Sequence, residues 1–254
     1  MKFTPVLAFL TATLLAISCE EQAVDHSADP TDHSNIPHFT AIYGTPTIDG
    51  SALDSVWMGQ DWLPLDQLWE GTEPDKSDFK GRYKLAWDEN NLYVLAEVTD
   101  DTLIDQYEDG LFQYWDDDCL EVFIDEDGSG GNHQYNHNAF AYHIALDGRV
   151  VDIAPDSSFQ YYNQHCTTRR VSLGNVSTWE VAIRIYNGES YEEGGENVPK
   201  LLDEDKHMGF ALAYCDNDHS KTREHFMGSI PIEGEDKNRA WIDASLFSHL
   251  RLSY

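Results

Sequence analysis

The chain has 254 residues, enough for one large domain, and its 16 Lys+Arg against 46 Asp+Glu give a formal charge of -30. Such a surface repels phosphate backbones and anionic membrane surfaces, which removes nucleic acid from the expected partners. The acidity serves solubility, and carboxylates gathered in loops also suit a hard divalent cation such as calcium.

Lys2 is followed by an apolar run over residues 6–17 that is too short to span a bilayer, the pattern of a signal peptide, here taken as residues 1–18. Leu15-Ala16-Ile17-Ser18-Cys19 resembles a bacterial lipoprotein lipobox, which implies acylation of Cys19. Glu20 and Glu21 resemble the acidic tag of lipoproteins displayed on the outer cell surface. The location implied is outside the cytoplasm, lipid-anchored to the bacterial outer membrane, with several acyl chains holding at about 0.8 kcal/mol per buried CH₂. Residues 19–37 are polar and nearly free of large apolar side chains, as a tether requires. With Cys19 lipidated, Cys119, Cys166 and Cys215 remain, so at most one internal disulfide forms. Their spacing matches no zinc pattern, and the expectation is buried or incidentally paired thiols.

A folded domain is expected over residues 38–254. Its first stretch, Ile48-Asp49-Gly50-Ser51 through Trp57, reads as a turn and one short helix, with Ser51 as cap and Trp57 as core anchor. Strand patterns follow at about 79–87, 92–99, 119–125, 139–146, 150–153, 167–173, 178–185 and 208–215, separated by Gly, Asn, Asp and Pro. Long amphipathic helices are absent from the pattern, and Leu92-Tyr93-Val94-Leu95-Ala96-Glu97-Val98 keeps one face apolar. The spacing predicts an all-β fold, an antiparallel β-sandwich of the immunoglobulin or jelly-roll kind. Residues 189–199 are rich in Gly and Glu and read as a solvated loop.

The most informative stretch is 114–127, where Trp115 and a knot of carboxylates precede an alternating strand. Alternation sends Leu120, Val122 and Ile124 to the core and Cys119, Glu121 and Phe123 to the other face. A loop ahead of the strand would hold the Trp115 ring out to a ligand on a rigid scaffold.

Four segments resemble carbohydrate-binding module family 9, a sandwich related to the DOMON-like group. They are Tyr43-Gly44-Thr45-Pro46-Thr47-Ile48-Asp49-Gly50 with Asp54 and Trp57; Leu85-Ala86-Trp87-Asp88 through Leu92-Tyr93-Val94 with Asp100; Trp115 to Asp118 with Glu121-Val122-Phe123-Ile124-Asp125; and Trp241-Ile242-Asp243 with Phe247 and Leu250-Arg251-Leu252. The resemblance implies a sugar, a chain end in particular, held between Trp115 and Trp241, since the C–H faces of a sugar ring suit flat aromatic surfaces. It further implies that Glu121 and Asn238 hydrogen-bond sugar hydroxyls, with Arg223 at a further polar position. Where the family places an Arg, this chain has Tyr142 followed by His143, and a family Gln is replaced by Ala213, so its ligand is expected to differ from cellobiose or xylan fragments. The role implied is capture of polysaccharide for breakdown, in company with glycoside hydrolases and without a catalytic domain of its own.

Among the other tryptophans, Trp57, Trp87 and Trp179 sit in apolar alternation and are assigned to the core, whereas Trp62 and Trp69, with Tyr161 and Tyr162, form either a second platform or a packed loop. Asp125-Glu126-Asp127-Gly128 has the look of a calcium loop, and the family resemblance extends the candidate ligands of a structural calcium to Asp100, Asp118, Asp125 and Asp127. A b-type haem held by two of His133, His137, His143 and Met227, as in DOMON cytochromes, is the alternative reading, and no Cys-x-x-Cys-His attachment motif accompanies it.

Overall fold

The computed structural model describes residues 36–254; the stretch expected to be a signal peptide, Cys19 and nearly all of the expected tether lie outside the described residues. The described strands are β1 (His38–Tyr43), β2 (Leu63–Leu65), β3 (Gln67–Gly71), β4 (Phe79–Trp87), β5 (Leu92–Asp100), β6 (Cys119–Asp125), β7 (Phe140–Ala145), β8 (Val150–Ile153), β9 (Phe159–Tyr161), β10 (Cys166–Leu173), β11 (Val176–Ile183), β12 (His207–Asp216), β13 (His225–Gly228) and β14 (Ser248–Ser253). They pair in the order β10-β11-β5-β4-β1-β14-β12-β6-β7-β8-β9, with β2 beside β4, and β13 carrying β3 from the edge of β12. The molecule is a β-sandwich. Strand β1 joins its layers, pairing parallel with β14 through residues 38–42 and parallel with β4 at Ile42 and Tyr43, whereas every other pairing among the described strands is antiparallel.

The period-two pattern decides which side chains meet between the layers. Tyr83, Leu85 and Trp87 of β4, Leu92, Val94 and Ala96 of β5, and Trp179 and Val181 of β11 face Leu120, Val122 and Ile124 of β6, Tyr142 and Ile144 of β7, and Phe210 and Leu212 of β12 in one buried cluster. Each such side chain contributes roughly 1.5–3 kcal/mol by leaving water. A slip of one residue in β6 or β7 would drive Glu121 or His143 into that core, so the register is firmly specified. The sequence assignments of Leu120, Val122 and Ile124, and of Trp87 and Trp179, to the core agree with this packing.

Both outer faces are covered. On the β4-β5-β11 layer, Trp57 packs on Ala86, Tyr93, Leu95 and Ala182. The buried Glu180 carboxylate accepts hydrogen bonds from Trp57 Nε1 at 3.0 Å and Gly50 N at 2.7 Å, and so ties the turn to the sheet. The short helix expected there is a single 3-10 turn, Ser55–Trp57, preceded by Asp54 rather than capped by Ser51; the Asp54 carboxylate instead accepts from Thr47 N at 3.1 Å. On the other layer, Phe123, Ala141, Ala211, Ala213 and Cys215 face outward beneath Trp69, Phe226 and Phe247. Small side chains on β7 and β12 leave a hollow there, and the site occupies it.

Candidate functional site

The hollow is a cleft of about 650 Å³ over the outward face of β6 and β7. Trp115, Trp241, Glu121, His143, Arg223 and Asn238 all line it. Six of the seven ligand residues expected from the sequence thus share one cavity. The seventh, Tyr142, does not reach it: next to His143 on a strand, it points the opposite way, is buried in the inter-sheet core and places its hydroxyl 2.8 Å from His165 Nδ1. Expecting neighbouring strand residues to share one site ignored alternation.

Trp115 stands on a 3-10 turn, Tyr114–Asp116, entered through Gln113 in the left-handed region (φ 46°). Its ring meets Tyr114 at 5.1 Å and Phe159 at 5.5 Å in edge-to-face contacts, so it is partly exposed yet braced. Trp241 lies in the loop before β14 and donates its Nε1–H to Asn238 O at 3.2 Å. That loop is held from behind by His133, whose Nε2 is 2.7 Å from Ala240 O and whose backbone N–H donates to Ile242 O. His133 therefore acts as a brace for the Trp241 loop.

The polar groups of the cleft come in two sets. Glu121 and His143 are directly opposite on β6 and β7 and lie 3.2 Å apart, Oε2 to Nε2. Burial works against a charged imidazole, but the Glu121 carboxylate outweighs it and raises the His143 pKa. Beneath them Asp152 accepts from the N–H groups of Ala141 and Ile153, and burial pushes its pKa up to about 7. The second set is centred on Glu70 of β3, which sequence reasoning missed. Its Oε2 accepts from Arg223 Nε and Nη2 at 3.0 and 2.6 Å and from Asn238 Nδ2 at 3.2 Å, aligning both residues along the rim. No alternation marks it: the pairing of β3 with β13 is irregular at Trp69, with Glu70 opposite Phe226 and Leu68 opposite Met227, and Trp69 and Glu70 both turn to the cleft side. The arrangement offers aromatic faces, fixed donors and fixed acceptors.

The proposed second platform does not form. Trp69 is buried under the cleft with Nε1 on Ile230 O, Trp62 lies beneath Arg82 and Lys84 on the opposite layer, Tyr162 is in the core and Tyr161 is exposed. The haem candidates are also dispersed: Met227 is in the inter-sheet core, His143 faces the cleft, and His137 sits 3.2 Å from Glu193.

The four aspartates expected at calcium separate into two groups. Asp125 ends β6 and Asp127 follows in the turn beyond it, where Asp125 accepts from Gly128 N at 3.1 Å and Gly130 N at 2.7 Å, and Asp127 from Ser129 N. Asp118 precedes the same seven-residue strand, so the groups are roughly 20 Å apart and do not share an ion. Asp100 and Asp118 instead converge with Asp216, which the sequence reading did not name, their carboxylate oxygens within 4.8 Å of one another and all three buried. Asp100 accepts from Tyr214 Oη and Thr102 N, and Asp118 from Asn217 N and Ile104 N, but neither oxygen of Asp216 has a hydrogen-bond partner. Burial first, then the neighbouring carboxylates, push Asp118 up to about 9, Asp216 to about 8 and Asp100 to about 6. An orphaned carboxylate among two others fits a hard cation.

A family model described as carbohydrate family 9 binding domain-like matches residues 48–254. The chain is 38% identical over 219 residues to endo-1,4-beta-xylanase A of Thermotoga maritima, a match covering 84% of this chain and 17% of that enzyme. The chain thus spans about a sixth of the length of that relative. Among solved structures it resembles a carbohydrate binding module family 9 from Caldicellulosiruptor kristjanssonii in complex with cellotriose, with a TM-score of 0.65, 23% identity and coverage of 85% of this chain and 94% of that one. The same organism's module in complex with glucose gives a TM-score of 0.62 at 22% identity, covering 85% and 96%. At those identities the likeness is one of fold.

Proposed function

The chain belongs to carbohydrate-binding module family 9, and from that premise we propose that it captures a glycan, by a chain end, between Trp115 and Trp241. The observation that carries the reading is that both partly exposed indoles line one cleft together with Glu121, His143, Arg223 and Asn238. A sugar ring presents apolar C–H faces and a polar edge, and this cleft offers aromatic surface for the first and fixed hydrogen-bonding groups for the second. Glu121 accepts from hydroxyls and Arg223 donates to them, and His143, with its raised pKa, acts as a second donor. The chain holds the glycan without cutting it and presents it to glycoside hydrolases. The similar modules solved in complex with cellotriose and glucose make gluco-oligosaccharides the first compounds to try.

Titration calorimetry with a panel of cello-, xylo- and other oligosaccharides tests the reading. Wild type is expected to bind at least one, and Trp115→Ala and Trp241→Ala each to lose about 2 kcal/mol, roughly 30-fold in affinity, as for a buried aromatic anchor. Undiminished affinity in both variants would sink the clamp.

Two supporting elements belong to the same reading. A structural divalent cation of the calcium class sits among Asp100, Asp118 and Asp216, because the unpartnered Asp216 carboxylate otherwise stays buried beside two others. Acylation at Cys19 fixes the chain to the outer membrane, on the strength of the lipobox-like Leu15 to Cys19. Wild type is then expected in the membrane fraction and Cys19→Ala in the soluble one; an unchanged distribution would refute the anchor.

A further inference from the structure

Three neighbouring strands place one soft donor each on the same outward face under the cleft. Cys215 of β12 is directly opposite Cys119 of β6, and His143 of β7 is opposite Glu121, two residues along from Cys119. The two sulfurs and one ring nitrogen of His143 lie within 4.8 Å of one another, and all three residues are buried. Two further observations set this apart from an incidental thiol pair. Glu121, 1% exposed, keeps an Oε2 with no hydrogen-bond partner, 3.2 Å from His143 Nε2. Arg223 Nη1 donates to Cys215 Sγ at 3.4 Å, the kind of N–H contact that steadies a sulfur ligand from outside.

We propose that Cys119, Cys215 and His143 form a binding site for a thiolate-preferring transition metal of the zinc class, on the floor of the cleft. Metal–sulfur and metal–nitrogen bonds of about 2.3 and 2.1 Å put tetrahedral donors roughly 3.5–3.8 Å apart, so the three groups close by an ångström or so at most. Three protein donors leave a fourth position, and Glu121 stands beside it. Binding breaks two S–H bonds and, where His143 is protonated, one N–H bond, forms two metal–sulfur bonds and one metal–nitrogen bond, and passes up to three protons to solvent. His143 borders the cleft, which gives the ion a route in. The carboxylate group at Asp100, Asp118 and Asp216 offers oxygen only and suits a different class of ion. A metal needs a deprotonated His143 nitrogen, so an occupied site replaces the imidazolium donor of the proposed sugar cleft, while the thiolate site itself does not depend on sugar binding.

Cobalt(II) is the probe, since a Co–thiolate bond gives a near-ultraviolet charge-transfer band that a carboxylate site does not. The reduced full-length chain, with calcium in excess to occupy oxygen sites, is titrated with Co²⁺ and then with Zn²⁺. The expected result is a charge-transfer band that saturates at one equivalent, disappears on adding zinc, is absent in Cys119→Ser and Cys215→Ser, and persists in Cys166→Ala, whose thiol is buried in the inter-sheet core. A folded, reduced wild type that gives no such band overturns the proposal, independently of how the variants fold. So does a band that survives in Cys215→Ser, or a Cys119–Cys215 disulfide in protein isolated without reductant. Sugar affinity is measured separately, so failure of one reading leaves the other standing.

Discussion

Glu70 illustrates how one side chain organises several at the rim of the cleft. Its Oε2 accepts from Arg223 and Asn238, while Arg223 also lies with its guanidinium carbon 4.0 Å from the centre of the Phe226 ring. Because the Glu70 side chain is 50% exposed, the pair adds little to folding, about 0–1 kcal/mol. Its value is positional: without it Arg223 and Asn238 lose a shared acceptor and a ligand must order them. Glu70→Ala is therefore expected to weaken sugar binding about 3- to 10-fold with a melting temperature within a few degrees of wild type. Calorimetry beside a thermal scan checks this, and a large drop in stability with unchanged affinity would contradict it. Sequence motifs pointed to Trp115, Trp241, Glu121 and Asn238, which stand in or beside a recognisable segment, and to Arg223 and His143 through looser correspondence with family positions. Glu70 escaped because β3 is short, and Asp216 because its partners Asp100 and Asp118 come from distant parts of the chain.

At the scale of elements, β3 and β13 form the shelf on which the cleft is built. Trp69 of β3 inserts across Gly228 of β13, and a Cβ on Gly228 would lie 1.9 Å from Trp69 Cε2. The indole cannot simply move aside, because its Nε1–H is bound to Ile230 O and its ring packs edge-on to Phe123 and Phe226. Gly228→Ala is expected to cost about 2–4 kcal/mol in urea unfolding, within the upper range for overpacking a rigid site. A cost under about half a kcal/mol would mean that the shelf yields more easily than this packing allows. The longer strands, and the short but Val- and Ile-rich β8, are legible in sequence: residues 79–87, 119–125 and 150–153 match to the residue, since apolar alternation and β-branched side chains are strong local signals. Strands β2, β3, β9, β13, β14 and β1 were not separately recognised. The first four have three to five residues and lack the β-branched side chains that mark the equally short β8, and β14 and β1 pair in parallel from opposite ends of the described chain, which no local pattern encodes.

For the whole molecule, the carboxylates at Asp100, Asp118 and Asp216 sit where the two layers meet at one end. Asp100 closes β5 of one layer, whereas Asp118 precedes β6 and Asp216 ends β12 of the other. In a chain of formal charge -30, three buried acids at that junction push the layers apart unless protons or a cation neutralise them. Burial and mutual repulsion raise their folded-state pKa values above the unfolded value, to about 6, 9 and 8 respectively. The ion-free folded state therefore holds more protons than the unfolded chain between about pH 4 and 9, and over that window its stability falls as pH rises. Calcium needs the deprotonated carboxylates, so its stabilising effect grows through the same window. At 100 times its dissociation constant it is expected to add about 2.7 kcal/mol. Urea unfolding across pH with calcium, with chelator, and with sodium chloride at matched ionic strength separates this from screening of the overall charge. Asp216→Asn is expected to abolish the calcium increment and, by removing one of three repelling charges, to flatten the alkaline decline measured in chelator. An equal calcium response in wild type and Asp216→Asn would move the ion away from this junction and leave the overall charge as the source of any salt effect.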